Sequence, residues 1–164
     1  MRWLLIIGGT LGGLVAVIIA AGYALPVKHV ASLSVELDAP PERVWETITD
    51  MTSFPLWRKD VKSVEIVQRA PAGPVWRERS SDGTITYETV ESVPPLRLIS
   101  RISDRSLPFG GTWTFDLTPT PRGTRLTIRE DGEVYNPVFR LASRFVLGHD
   151  ATIRKYIADL EAGL

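Results

Sequence analysis

Hydrophobic and polar positions along this chain follow different rhythms in successive stretches. Trp3 to Leu25 is an uncharged run of 23 residues. From Val30 onward short stretches alternate apolar and polar side chains, the period of half-buried strands. In Val30–Leu37 the residues Ala31, Leu33, Val35 and Leu37 face one way, with Ser32, Ser34 and Glu36 opposite. From Pro137 to Leu160, Val138, Leu141, Ala142, Phe145, Ile153, Tyr156, Ile157 and Leu160 recur at helical spacing. Asn136 and Pro137 read as the cap and first residue of that helix.

Between these ends the pattern predicts two short helices and then about six strands. Pro40 and Pro41 suit a first helical turn, where a missing N–H costs nothing. Glu42 follows at the positive end of the helix dipole. Val44, Trp45 and Ile48 form a short apolar stripe, and Pro55 limits the second helix. The strands run over 61–68, 75–80, 84–92, 97–103, 112–118 and 124–134, with turns at Pro71–Pro74, Asp82-Gly83, Pro94-Pro95 and Pro121–Gly123. Such a meander is an antiparallel sheet, and one long amphipathic helix must cover its apolar face. The expected fold class is therefore α+β.

The N-terminal run predicts a membrane helix. At ~1.5 Å per residue it would be roughly 35 Å long, enough for a ~30 Å hydrocarbon core. Leu, Ile and Val supply eleven of its residues and outweigh its five glycines. A cleaved signal peptide is the rival reading, with Gly22-Tyr23-Ala24 as a poor cleavage site. The chain thus divides into an anchor, residues 1–27, and a domain, residues 28–164. A tiny N-terminal flank is easiest to leave in the cytoplasm, which puts the domain outside, although Arg2 against Lys28 and Arg43 nearly ties the count. Gly8/Gly12 and Gly9/Gly13 are G-x-x-x-G spacings that would let two such helices approach in a weak homodimer. No β-α-β unit surrounds these glycines, so a dinucleotide loop is rejected.

Composition narrows the chemistry. Nineteen basic and nineteen acidic residues leave no net charge and no pull toward nucleic acid. There is no cysteine, and His29 and His149 stand far apart, so neither a metal nor another cofactor is expected. No G-x-S-x-G elbow is present, which removes the usual serine nucleophile.

The segment Ala39–Trp57, A-P-P-E-R-V-W-E-T-I-T-D-M-T-S-F-P-L-W, resembles the start of the START-like superfamily, also called SRPBCC or polyketide cyclase/dehydrase-like proteins. Further points of resemblance are Trp57 leading into Val61, Pro94-Pro95 before a strand, Gly111-x-Trp113-x-Phe115, and Gly123-Thr124 before Leu126 and Ile128. The resemblance covers Val30 to Leu160. It implies a helix-grip fold, a curved antiparallel sheet around the C-terminal helix, with the short helices closing a hydrophobic cavity.

Strand phase then nominates what faces that cavity. A two-residue turn at Asp82-Gly83 would pair Glu78 with Tyr87, Trp76 with Thr89 and Arg77 with Glu88. Trp76, Glu78, Ile85 and Tyr87 would share the inner face, as would Leu126, Ile128 and Glu130 in the last strand. Glu78 and Glu130 are the candidate acid/base residues, since desolvation raises a carboxyl pKa, and Tyr87 is a candidate donor. The alternative is that each carboxylate pairs with an inward arginine, Arg140 or Arg101, or lies at a wet rim. Candidate ligand-lining residues are Trp57, Trp76, Trp113, Phe115, Ile128, Leu141 and Phe145, with Arg140 (and Arg144) for an anionic head group. The aromatics could equally fill core. Three readings follow: binding of a small hydrophobic molecule such as a lipid, isoprenoid or polyketide, cyclase/dehydratase-like catalysis, and a co-chaperone-like interaction module.

Overall fold

A computed structural model describes residues 2–81, 83–142, 144, 148 and 150–164, without the side chains of residues 2 and 4–9. A helix, α1 (Arg2–Ala24), leads into strand β1 (Lys28–Leu37). Helix α2 (Pro41–Thr49), a 3-10 turn at Met51–Ser53 and helix α3 (Phe54–Trp57) come next. Six strands follow: β2 (Val61–Ala70), β3 (Gly73–Ser80), β4 (Thr84–Val93), β5 (Arg97–Ile102), β6 (Phe109–Thr120) and β7 (Gly123–Val134). Helices α4 (Pro137–Ala142) and α5 (Ala151–Gly163) end the chain.

All strand pairs are antiparallel, in the order β1-β7-β6-β5-β4-β3-β2. The first strand therefore returns beside the last, and the α2–α3 segment spans from one edge of the sheet to the other. The alternation of β1 survives as burial: Ala31 and Leu37 are buried, Ser32, Ser34 and Glu36 exposed. The main core joins the inner face of β1, β5, β6 and β7 to α2 and α5, through Leu98, Phe115, Leu117, Leu126, Ile128, Val44, Ile48, Ile153 and Leu160. Each such side chain contributes about 1.5–3 kcal/mol by burial. A smaller core of Met51, Phe54, Val61 and Trp76 seats α3 on β2 and β3. Thr124, wholly buried, donates from Oγ1 to the Ala39 carbonyl at 2.7 Å, tying the entry of α2 to β7.

The structure departs from the sequence pattern in the covering helix and in the β3–β4 hairpin. The expected continuous helix over Pro137–Leu160 is interrupted: α4 ends at Ala142 and α5 begins at Ala151, with Gly148 between them at a left-handed φ of +77°. Its cap is as expected, with Asn136 Oδ1 accepting from the backbone N–H of Val138 and Phe139 at 3.0 Å each. In the hairpin, Arg79 pairs with Thr84, and the Ser80 N–H donates to the Gly83 carbonyl, so the turn lies one residue earlier than the pattern places it. Trp76 consequently lies opposite Tyr87, Glu78 opposite Ile85 and Arg77 opposite Thr86. The slip is an even number of residues, so every side chain keeps its predicted face. The expected Arg77–Glu88 pair does not form. Arg77 instead bonds Glu65 at 3.2 Å, and Glu88 accepts from Arg101 at 2.6 Å.

From Thr10 to Ala24 every residue of α1 is exposed except Gly22, so the helix projects from the domain. Gly22 lies so close to Pro137 that an added Cβ would meet the Pro137 carbonyl. No atom lies within 4 Å of where a Cβ would stand on Gly12 or Gly13. Among the described residues no helix is long and apolar enough to cross a membrane. The span expected of Trp3–Leu25 is thus not shown by the fold itself.

Candidate ligand-binding site

Two carboxylates do point into the grip, in different circumstances. Glu78, on β3, is 5 % exposed, and both its oxygens are engaged. Oε1 accepts from the Trp76 indole N–H and Oε2 from Arg58 Nη1, each at 2.9 Å. Arg58 follows the last residue of α3, and its guanidinium lies 5.3 Å from the Phe54 ring centroid and 5.4 Å from that of Tyr156. Its second nitrogen is 3.7 Å from Asp60. Burial works against the charged guanidinium, but Glu78, then Tyr156, Asp60 and Tyr87, outweigh that and raise its pKa. The inward partner of Glu78 is therefore Arg58, not Arg140 or Arg101. A carboxylate held this way braces the sheet against α3 and α5.

Glu130 is different. It lies on the inner face of β7, between Ala31 of β1 and Trp113 of β6, in a row continued by Ser100 and Thr89. Its side chain is 18 % exposed. Trp113 stands directly opposite it on β6, while Oε2 is buried and has no hydrogen-bond partner among the described residues. Desolvation dominates, partly offset by Trp113, and pushes the carboxyl pKa up to about 7. Glu130 is thus an acid that both donates and accepts near neutral pH.

His29 adjoins Glu130, whereas Tyr87 packs on the Glu78 side of the grip. His29 Nε2 is 3.6 Å from Glu130 Oε1, and Gly132 leaves room for the ring, since a Cβ there would fall on the imidazole. Tyr87, stacked on Trp76 with ring centroids 5.4 Å apart, has its pKa raised by burial and then by Glu78, Arg58 opposing, with a smaller contribution from Glu130. Tyr156 of α5 joins the two carboxylate regions. Its ring meets Trp57, Trp113 and Phe115 at 5.3, 5.7 and 5.5 Å.

The remaining sequence candidates sort by burial and partner. Phe115 and Ile128 are core, at 4 % and 0 % exposure. Trp76 is likewise core and serves as the donor to Glu78. Trp113 and Leu141 are half-buried, and Phe145 lies outside the described residues. Trp57 packs on Phe54 and Tyr156 and borders an outer groove of about 680 Å³ between α2, α3 and Gly163. That groove includes neither Glu78 nor Glu130. Arg140 is no anion cradle. Its guanidinium is spent on backbone carbonyls: Gly22 and Leu25 at the end of α1, and Val134 and Tyr135 at the end of β7. Among the described residues no cluster of His, Cys, Asp or Glu could hold a metal ion.

The sequence pattern does not single out Arg58 or His29 for this site. The available signal for Arg58 is its position one residue past the apolar lid segment, where a long cationic side chain folds back under it. For His29 it is phase: extending the β1 alternation by one step from Ala31 turns it inward.

Comparison with known proteins agrees with this fold. Among curated proteins none matches the chain. A START superfamily protein from Mycobacterium smegmatis superposes with a TM-score of 0.67 at 19% identity, over 82% of this chain and 96% of that one. A Thermus thermophilus protein does so at 0.65 and 22%, over 82% and 94%. The di-domain ARO/CYC StfQ from the steffimycin biosynthetic pathway gives 0.66 at 15%, over 83% of this chain and 50% of that one. At these identities the likeness is one of fold. The family model described as polyketide cyclase / dehydrase and lipid transport matches residues 28–162, and the chain belongs to that family.

Proposed function

We propose that this protein binds a small hydrophobic molecule between the sheet and its covering helices, with the polar end of that molecule on Glu130. The carrying observation is the Glu130 Oε2 atom, buried and unpartnered beside Trp113. An unpaired buried oxygen costs about 1–3 kcal/mol, which a ligand hydroxyl or carbonyl bonding to the carboxyl would recover. The apolar surroundings suit a lipid, isoprenoid or polyketide-like body, and the family description includes both lipid transport and cyclase chemistry.

The anchor reading belongs to the same proposal. Leu11, Leu14 and Val17 of α1 are 63%, 58% and 65% exposed, a continuous apolar surface that a monomer in water does not sustain. Residues 1–27 hold the domain to a membrane, on its extracytoplasmic face, and the ligand is one that partitions into the bilayer. Gly8 and Gly12 give the helix a face for weak pairing with a second copy. Native mass spectrometry of the detergent-extracted protein tests the binding: a retained small molecule is expected, and consistently ligand-free protein that takes up no lipophilic probe overturns it.

The elevated pKa of Glu130 favours a second reading, acid/base catalysis of a cyclase or dehydratase type with Tyr87 as donor. Glu78 has no free oxygen for that role and serves as a brace. Under this reading Glu130→Gln abolishes turnover of a carbonyl substrate while binding persists. Unchanged turnover rejects it.

A further inference from the structure

The Lys28 end of β1, the Val134 end of β7 and the Phe109 end of β6 lie together, where α1 enters the domain. Two contacts fix α1 there. Arg140 of α4 donates to the Gly22 and Leu25 carbonyls at 3.1 and 2.8 Å, and Gly22 seats directly on Pro137. The Val134 N–H also donates to the Val27 carbonyl. The angle between α1 and α4 is therefore built into the fold rather than left to a linker.

Around this junction exposed apolar and aromatic side chains stand beside the Lys28–Glu133 ion pair. Tyr23 is 70% exposed on the last turn of α1, and Val27, Tyr135, Val138 and Phe139 are each more than a third exposed. Phe139 leans on Phe109 with centroids 6.2 Å apart, so it is held outward by packing. Tyrosine hydroxyls beside apolar side chains are what membrane–water interfaces select, and Tyr135 carries its hydroxyl on Glu133 at 2.7 Å.

We propose that this end of the domain, α4 with Val27 and Tyr135, docks on the bilayer surface, its Val138 and Phe139 side chains entering the headgroup boundary. The proposal rests on the anchor reading above and goes beyond it, because a tethered domain need not touch lipid. The occupant is lipid because the patch is continuous with the exposed apolar surface of α1 and locked to it. His29 and Glu130 lie at this same end of the sheet, so docking turns the ligand site toward the bilayer.

The absence of native cysteine allows single-site spin labelling of the full chain in phosphatidylcholine nanodiscs. Labels go on Leu14→Cys in α1, Phe139→Cys in α4 and Leu56→Cys, which is 88% exposed on α3. Val138→Cys repeats the α4 measurement if Phe139→Cys does not fold. Docking predicts that residue 139 behaves like residue 14: reached by oxygen, with nickel-complex accessibility severalfold below that of residue 56. Residue 14 in lipid with 139 as nickel-exposed as 56 overturns docking and leaves the anchor standing. Residue 14 in water overturns both. Residue 139 shielded from oxygen and nickel alike means another protein copy covers the face, and that also overturns lipid docking.

Discussion

Replacing Arg58 by Met should be among the most damaging single substitutions available outside the apolar core. The change keeps a flexible stem of similar reach but removes the charge that neutralises Glu78. Glu78 is then left buried with only the Trp76 N–H, since its other oxygen accepts from Arg58 alone at 2.9 Å. Breaking one partner of a buried pair costs about 3–5 kcal/mol, against about 0–1 for an exposed pair. The side chains here are 15 % and 7 % exposed, so the buried figure applies. Loss of the guanidinium from the Phe54 and Tyr156 faces adds about 0.5–2 kcal/mol. Urea unfolding of the full chain in nanodiscs, followed by tryptophan fluorescence, measures the sum. The double variant Arg58→Met/Glu78→Gln should recover much of the loss, because no charge remains to desolvate, and the cycle isolates the pair. A loss below about 1 kcal/mol for Arg58→Met would refute the bracing role.

Other outcomes follow from the same geometry. Because the Glu130 pKa is raised in the fold to about 7, stability carried by its neutral form is full below the unfolded value near 4.5 and declines as pH rises through about 7. Glu130→Gln should flatten that decline in unfolding curves taken from pH 4 to pH 8 (about the span of the two pKa values); an unchanged profile counts against the burial of this carboxyl. Arg140→Met removes the donor to both α1 carbonyls, so trypsin should cut faster after Lys28, and an unchanged rate means the junction is held by other contacts. Gly132→Ala drives its methyl into the His29 ring and crowds Glu130 Oε1 at 3.1 Å, so lipophilic-probe affinity should fall with little loss of secondary structure by circular dichroism.

Much of the architecture is legible in the sequence because the inner face repeats every second residue, and that rhythm tolerates error. The pattern places the β3–β4 turn one residue too late, yet Glu78 and Tyr87 remain inside because the partner slip is even. Partner choice has no such protection. Arg77, Glu88, Arg101 and Arg140 all take partners other than those the pattern offers, since a long side chain selects whichever carboxylate or carbonyl the fold brings near. The break between α4 and α5 is hidden for a similar reason: helical spacing on both sides of it reads as a single helix. Glu130 is visible by phase alone, whereas its contrast with Glu78 depends on Arg58, twenty residues away from Glu78 in the chain.

The most direct test of ligand binding at Glu130 is the affinity of the ligand recovered from the native protein, measured at pH 6 and pH 8 for wild type and Glu130→Gln. If the neutral carboxyl meets the polar end of the ligand, wild-type affinity falls roughly tenfold across that interval while the Gln variant stays level. Equal, pH-independent affinity in both proteins would contradict the account.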